Sequence, residues 1–367
     1  MLIVEQPTLV VNEARAKKNI KKMAEKAKKS EVLFRPHFKT HQSTTVGEWL
    51  REEDVTAITV SSVDMAEYFA NNGWKDITIA FPVNIRQLER INKLAKKIDL
   101  GLLIESQDII PYLEEKIKTE VDIWIKIDTA YGRTGMAWDN SVEITNLIRK
   151  IKGTTHLNFK GLLVHAGHSY YAKSVDEIKD IYYDTAFKLK DLQEKLFVQG
   201  FAHVNLSVGD TPTTSVVEEF HTVDEVRPGN FVYYDLTQLE LGVCEEEDIA
   251  AAVACPVVAI HEERNEIVIY GGGVHLSKEF LIVDEKTKSY GSVALPTKEG
   301  WGPILKGTFV KSISQEHGII KTTPEIIKNI TLKDLFYVLP VHSCMTANLL
   351  RGHQVTFDGK EIDSIPL

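Results

Sequence analysis

Cysteine is scarce in this chain: only Cys244, Cys255 and Cys344 occur among 367 residues, with no C-x-x-C spacing. An odd, sparse count argues against a disulfide framework and fits a reducing compartment. No run of about 18 apolar residues is present, so a membrane-spanning helix is not expected. The start, Met1-Leu2-Ile3-Val4-Glu5, lacks the basic residues and apolar core of a secretory leader. A cytoplasmic protein is the expectation. Positive charge is not in surplus either: 43 Lys and Arg stand against 52 Asp and Glu, a formal net charge of −9. That disfavours nucleic acid or an anionic membrane as partner. The lysine-rich stretch from Lys17 to Lys29 reads as the solvated face of a helix, with Ile20, Met23 and Ala27 on its apolar side. No G-x-G-x-x-G follows an early strand, which weakens a dinucleotide-binding sheet.

What is present is ordinary for a soluble globular protein: 43% hydrophobic and 26% charged residues. The length suits two domains, or one large barrel with an addition. A strand over residues 2–11, interrupted by Pro7, precedes a helix over Glu13–Lys29 with Asn12 as N-cap. Short apolar runs then alternate with helical patterns: Val32–Phe34, Ala57–Val60, Ile77–Ala80, Leu100–Ile104, Val121–Ile127, Phe159–His165, His203–Leu206 and Thr222–Val226. About eight strand–helix alternations over roughly 240 residues predict a (β/α)8 TIM-like barrel, with an open doubly wound sheet as the rival. After Leu241 the rhythm changes to strands and turns, with Ala250–Ile260, Glu266–Tyr270, Phe280–Val283 and Phe336–Leu339 as strand candidates. The expected division is a barrel over 12–240 and a mainly β domain formed by 1–11 with 241–367.

Several segments at predicted strand ends carry chemistry. In Phe34-Arg35-Pro36-His37-Phe38-Lys39-Thr40-His41, Lys39 sits where a short buried strand hands over to a helix, the place where βα barrels carry catalytic groups. One reading is a solvated surface lysine. The other is a Schiff-base lysine, which needs its pKa lowered by desolvation or nearby cations. Arg35, His37 and His41 are candidate cationic neighbours, and Phe34 and Phe38 candidate water excluders. Asp128–Gly135 is either a loop with a capping aspartate or a mount for Arg133 as a fixed cation. In His165-Ala166-Gly167-His168-Ser169-Tyr170 the glycine reads as a tight turn more readily than the histidines read as metal ligands. Ser207–Thr213 is either a capped helix start or an anion cradle, and barrels often bind phosphate after strands seven and eight. Far downstream, His342 and Cys344 are two apart and share a side in extended backbone. They read as a capping histidine with a buried cysteine, or as a metal pair suited to zinc, with open positions for water or substrate.

The run Arg35-Pro36-His37-x-Lys39-Thr40-His41 resembles the cofactor-lysine motif of the family joining D-threonine aldolases and D-serine dehydratases. These are fold-type III pyridoxal phosphate enzymes with an alanine racemase-like barrel, and the likeness recurs over most of the chain. The resemblance implies that Lys39 holds pyridoxal phosphate and is catalytic, with His37 and His165 beside the cofactor. It implies Arg133 near the cofactor phenolate and Tyr170 contacting cofactor or substrate. Ser207, Gly209 and Thr211 then belong to a phosphate loop, in which Asp210 is a departure whose side chain must face away. Gly229 and Asn230 complete the phosphate cup, Tyr234 and His317 face substrate, and His342 with Cys344 holds zinc or another divalent metal. The implied activity is a metal-assisted lyase acting on a small D-β-hydroxy amino acid. His-x-Cys leans to dehydration of the D-serine dehydratase type, giving a keto acid and ammonia. Retro-aldol cleavage to glycine and an aldehyde is the alternative, and an amino-acid racemase, which needs no metal, stands behind both. A homodimer is implied as well. The roughly 125 residues after the barrel argue against a lone-barrel cofactor-binding protein.

Overall fold

A computed structural model of the chain describes residues 3–284 and 286–366. Leu2, the expected first residue of the N-terminal strand, lies outside them. Two compact units result. One contains Lys21–Lys39 and Leu50–Gly229; the other contains the chain up to Ile20, Thr40–Trp49 and the chain from Asn230 onward.

The first unit is built on eight parallel strands. Their order is Leu33–Phe34, Glu225–Val226, Asn205–Val208, Leu157–Leu163, Val121–Asp128, Asp99–Ile104, Asp76–Pro82 and Ala57–Val60. The two ends of that order meet through a parallel bridge between His37 and Thr59. Thr59 N donates to Pro36 O and Phe38 N to Thr59 O, each at 2.9 Å. The sheet therefore closes into a barrel, and the open-sheet rival is excluded. Continuous burial of strands such as Ala57–Val60 is what a sheet covered on both faces demands. Leu103, Trp124 and Leu163 form one buried layer on neighbouring strands. Lys126, two residues beyond Trp124, points to the same face.

Helix Glu13–Lys29 forms as expected, and Asn12 Oδ1 accepts from Arg15 N at 3.1 Å. After strand Asp99–Ile104 the chain forms a 3₁₀ turn, Gln107–Ile109, and continues as helix Ile110–Lys116 with Pro111 in its first turn.

The second unit contains an eight-stranded, mainly antiparallel sheet. Its order is Glu266–Tyr270, His317–Lys321, Phe309–Ile313, Ser292–Ala294, Leu335–Leu339, Ala251–His261, Thr8–Val11 and Gln354–Thr356. Thr8–Val11 starts just after Pro7, runs antiparallel to Ala251–His261 and parallel to Gln354–Thr356. The hairpin of Phe309–Ile313 and His317–Lys321 and the short helices Gly273–Leu276 and Ser343–Leu349 have too few residues for a clear periodicity. Glycine at 272 is a steric requirement, since a Cβ there would come within 2.3 Å of the Gln315 carbonyl oxygen.

Candidate active site

In the barrel unit, the closure segment presents Lys39. Phe38 is fully buried, edge-on to Phe69 and Trp74 with ring centroids 4.9 and 5.0 Å away. Lys39, the next residue, is exposed, and its backbone N–H donates to His37 Nδ1 at 3.3 Å. Arg35 does not serve as a spare cation. Its Nε donates to Glu225 at 2.6 Å and its other nitrogens to Asp76, with Nη2 at 3.0 Å. Phe38 spends its ring on the core rather than on shielding the amine.

The cations that do gather are different ones. His165 Nδ1 lies 2.7 Å from the Gly209 carbonyl, which can only accept, so this nitrogen carries the hydrogen and Nε2 keeps its lone pair. Burial, together with the charges of Lys39, Arg133 and Lys126, holds the His165 pKa well below the usual histidine range, against the bond to Gly209. The ring is neutral at neutral pH and marks a local positive field. Lys126 is buried, donates to the Ile127 carbonyl at 2.9 Å, and is pushed down to about 7 by burial and then by Arg227 and Arg133. It was missed in the sequence, although its two-residue offset from Trp124 on a strong strand was the signal.

Arg133 is exposed, with its guanidinium 5.1 Å from the Tyr131 ring centre. Tyr131 in turn lies edge-on to His165, at 5.9 Å between centroids. Asp128 folds this loop by accepting from the backbone N–H groups of Ala130, Tyr131 and Gly132 at 2.8–3.1 Å. Tyr170 is half-buried in the 3₁₀ turn Gly167–Tyr171. Gly167 is required there, because a Cβ would sit 2.4 Å from the Tyr131 ring.

Gly209, Thr211 and Gly229 are buried at the mouth of the same strands. A Cβ on Gly209 would come within 2.9 Å of Arg227, so glycine is what lets the Arg227 backbone pack against it. The Asp210 carboxylate turns inward onto Thr213 N at 2.8 Å, Thr213 Oγ1 at 2.8 Å and Ser169 Oγ at 3.0 Å. The Ser207 hydroxyl is committed: it donates to Glu225 and accepts from Arg227 Nε, both at 2.6 Å. Ser207 therefore offers no hydroxyl to an anion. The positive field, the free Nε2 of His165 and the glycine-lined backbone fit an anionic, phosphate-bearing cofactor.

In the β unit a second cluster forms. Cys344 is not on extended backbone as its spacing suggested; His342 is extended and Cys344 lies in the first turn of helix Ser343–Leu349. Their side chains nevertheless hydrogen-bond. His342 Nδ1 lies 3.0 Å from Glu279 Oε2. Burial opposes charge on His342, but its bonds to Cys344 and Glu279 and the charges of Cys344 and Asp235 outweigh this and push it up to about 11. Asn230 Nδ2 donates to Asp235 at 2.5 Å, Ser343 Oγ at 3.0 Å and Cys344 Sγ at 3.7 Å, while its Oδ1 is buried with no partner. Asn230 thus lies beside the thiol. Tyr234 is buried with φ of +47°, a left-handed conformation unusual for a tyrosine. His317 is exposed at the head of its strand.

His41, offered by sequence as a cation, is buried and held at about 3 by desolvation, so it is neutral. Among the described residues no group of three or more His, Cys, Asp and Glu converges as a metal cage. An imidazole and a thiol side by side, with a carboxylate on the far ring nitrogen, are still a donor set that fits a metal with open positions.

The family model "Alanine racemase, N-terminal domain" matches residues 11–237, and "Putative serine dehydratase domain" matches 250–356. D-serine dehydratase of Dictyostelium discoideum is 27% identical over 97% of this chain and 94% of its own. D-threo-3-hydroxyaspartate dehydratase of Delftia sp. is 28% identical over 96% and 94%. The solved structure of the Delftia enzyme superposes with a TM-score of 0.91 at 26% identity, covering 99% of this chain and 98% of that one. With a barrel closed by its lysine segment and a β unit carrying the dehydratase match, the chain belongs to the alanine racemase-like, fold-type III pyridoxal phosphate enzymes, in the branch of D-serine dehydratases and D-threonine aldolases.

Proposed function

We propose that this protein is a pyridoxal phosphate- and zinc-dependent lyase that removes water from a small D-β-hydroxy amino acid, as D-serine dehydratases do. The observation that carries the reading is the His342–Cys344 pair, hydrogen-bonded side chain to side chain and backed by Glu279. The relatives support it: solved structures of a D-threo-3-hydroxyaspartate dehydratase include a cysteine-to-alanine variant in the metal-free form.

Lys39 would hold the cofactor through its amine and, once displaced, take the α-proton of the substrate. Arg133, Lys126 and Lys39 supply positive potential, and His165 presents an uncharged acceptor at the cofactor. His37 orders the Lys39 backbone. Gly209, Thr211 and Gly229 offer backbone to the phosphate. Tyr170, Tyr234 and His317 would contact substrate. His342 and Cys344 would hold zinc. When bound, the cofactor supplies an electron sink and the metal a Lewis acid for the β-hydroxyl. Loss of the α-proton and the β-hydroxyl as water would leave an enamine, which takes up water to give a keto acid and ammonia. A cytoplasmic homodimer completes the proposal. None of the three cysteines is joined in a disulfide, which suits a reducing setting, and the family resemblance supports the dimer.

The test offers D-serine, D-threonine and D-3-hydroxyaspartate, with their L-forms, to purified enzyme with pyridoxal phosphate and zinc. Keto acid and ammonia from a D-substrate support the dehydratase. Glycine with an aldehyde would replace it by an aldolase, and an exchanged α-centre alone by a racemase. Cys344→Ala is expected to keep the fold by circular dichroism but to lose bound zinc; a variant retaining one zinc per chain would remove the pair from its role.

A further inference from the structure

We propose that Thr40, the residue after Lys39, is a positioning residue that holds the Cys344 sulfur ready for metal. The inference rests on the reading of His342 and Cys344 as a metal pair. Thr40 is completely buried, and its Oγ1 lies 3.2 Å from Cys344 Sγ. A cysteine binds metal as thiolate, without its hydrogen. The sulfur can then only accept, so the Thr40 hydroxyl must be the donor. Asn230 Nδ2, 3.7 Å from the same sulfur, approaches as a second donor and is itself fixed by Asp235 and Ser343.

Thr40 is held firmly enough to orient another group. Two residues on, the Gln42 carbonyl accepts from Ile365 N at 2.9 Å, and Gln42 Nε2 donates to Asn348 at 3.0 Å. Asp363 then accepts from Ser43, Thr44 and Thr45, through two backbone N–H groups and three hydroxyls at 2.6–2.9 Å. One short segment therefore carries the cofactor lysine at Lys39 and, at the next residue, the donor to the metal sulfur. A hydroxyl at this place withdraws electron density from the thiolate and fixes the direction of its lone pairs. Partners of this kind commonly change metal affinity by about 10–100-fold.

The experiment compares wild type with Thr40→Val, which keeps the shape and removes the hydroxyl, and Thr40→Ser, which keeps the hydroxyl. Metal is stripped from the holoenzyme. Zinc affinity is then read by competition with a chromophoric chelator, and cobalt(II) loading by the thiolate-to-cobalt band in difference spectra against the metal-free holoenzyme. Thr40→Val is expected to bind zinc about tenfold or more weakly and to move the cobalt band to longer wavelength. Thr40→Ser is expected to restore both. Thr40→Ala serves the same comparison if the valine variant does not fold. Wild-type affinity and band position in the hydroxyl-free variant would overturn the role of Thr40 alone. No cobalt–thiolate band in wild type, or one that survives in Cys344→Ala, would overturn the metal pair and this inference with it.

Discussion

Lys39 is exposed while Phe38 before it is buried, in the turn that follows the bridge residue His37. The amine is thus carried on a backbone that the Phe69–Trp74 packing keeps in place. Lys39→Ala is expected to lose the bound visible chromophore on desalting, with no change in far-UV circular dichroism. A desalted variant that kept its chromophore would show that another group holds the cofactor. The motif around Lys39 was legible because its residue types are distinctive. Glu279 was not, being 63 residues from His342 in sequence. Its carboxylate lies 3.0 Å from Nδ1 and fixes the ring orientation; under the proposed function Nε2 would face the metal. Glu279→Ala is expected to weaken zinc binding by about 10–100-fold, and Glu279→Gln, which keeps an acceptor oxygen, by less. Equal affinities in all three proteins would reduce Glu279 to a surface contact.

Helix Thr44–Arg51 follows the lysine segment, and its N-terminal N–H groups have no partners within the helix. Asp363, from far along the chain, supplies them, and its negative charge suits the positive end of the helix dipole. Asp363→Ala is expected to cost about 1–2 kcal/mol, the usual scale for a lost cap, read from urea denaturation. A change within experimental error would mean that Ser43, whose Oγ accepts from Val46 N at 3.2 Å, caps the helix by itself. The helix was readable from Val46, Trp49 and Leu50 at helical spacing. Its cap was not, since the partner comes from a residue about 320 positions away. The same limit applied to the barrel closure, where a single bridge between His37 and Thr59 decides between barrel and open sheet.

At the scale of the whole molecule, buried titratable groups tie stability to pH. His41 is held at about 3 in the folded chain against an ordinary 6.5, with burial as the leading cause. The unfolded chain therefore binds a proton first as pH falls. Stability from this group is complete above about 6.5 and is lost as pH drops towards 3, on the order of 5 kcal/mol across the window. Asp210, raised to about 6 by burial, acts in the other direction: its contribution is present at low pH and lost as pH rises from 3.8 through 6. Comparing wild type with His41→Gln isolates the histidine. The variant is expected to be less stable at pH 7 but to lose less stability between pH 6.5 and 4. Parallel curves would show that His41 keeps one charge state in both forms of the chain. No helix among the described residues is long and apolar enough to cross a membrane.

The alternation of apolar runs and helices determined the eight-stranded unit, because each strand and helix buries a face that local spacing already displays. The residue types in Arg35–His41 and His342–Cys344 carry the family resemblance on which the proposed chemistry rests. Tertiary structure alone decided which charges are available to do it. Arg35 is neutralised by Glu225, 190 residues away, and His41 by burial, whereas Lys126, unremarked in the sequence, joins Arg133 and Lys39 around His165. A charge state depends on desolvation and on partners brought together by folding, and neither is written in the spacing of nearby residues.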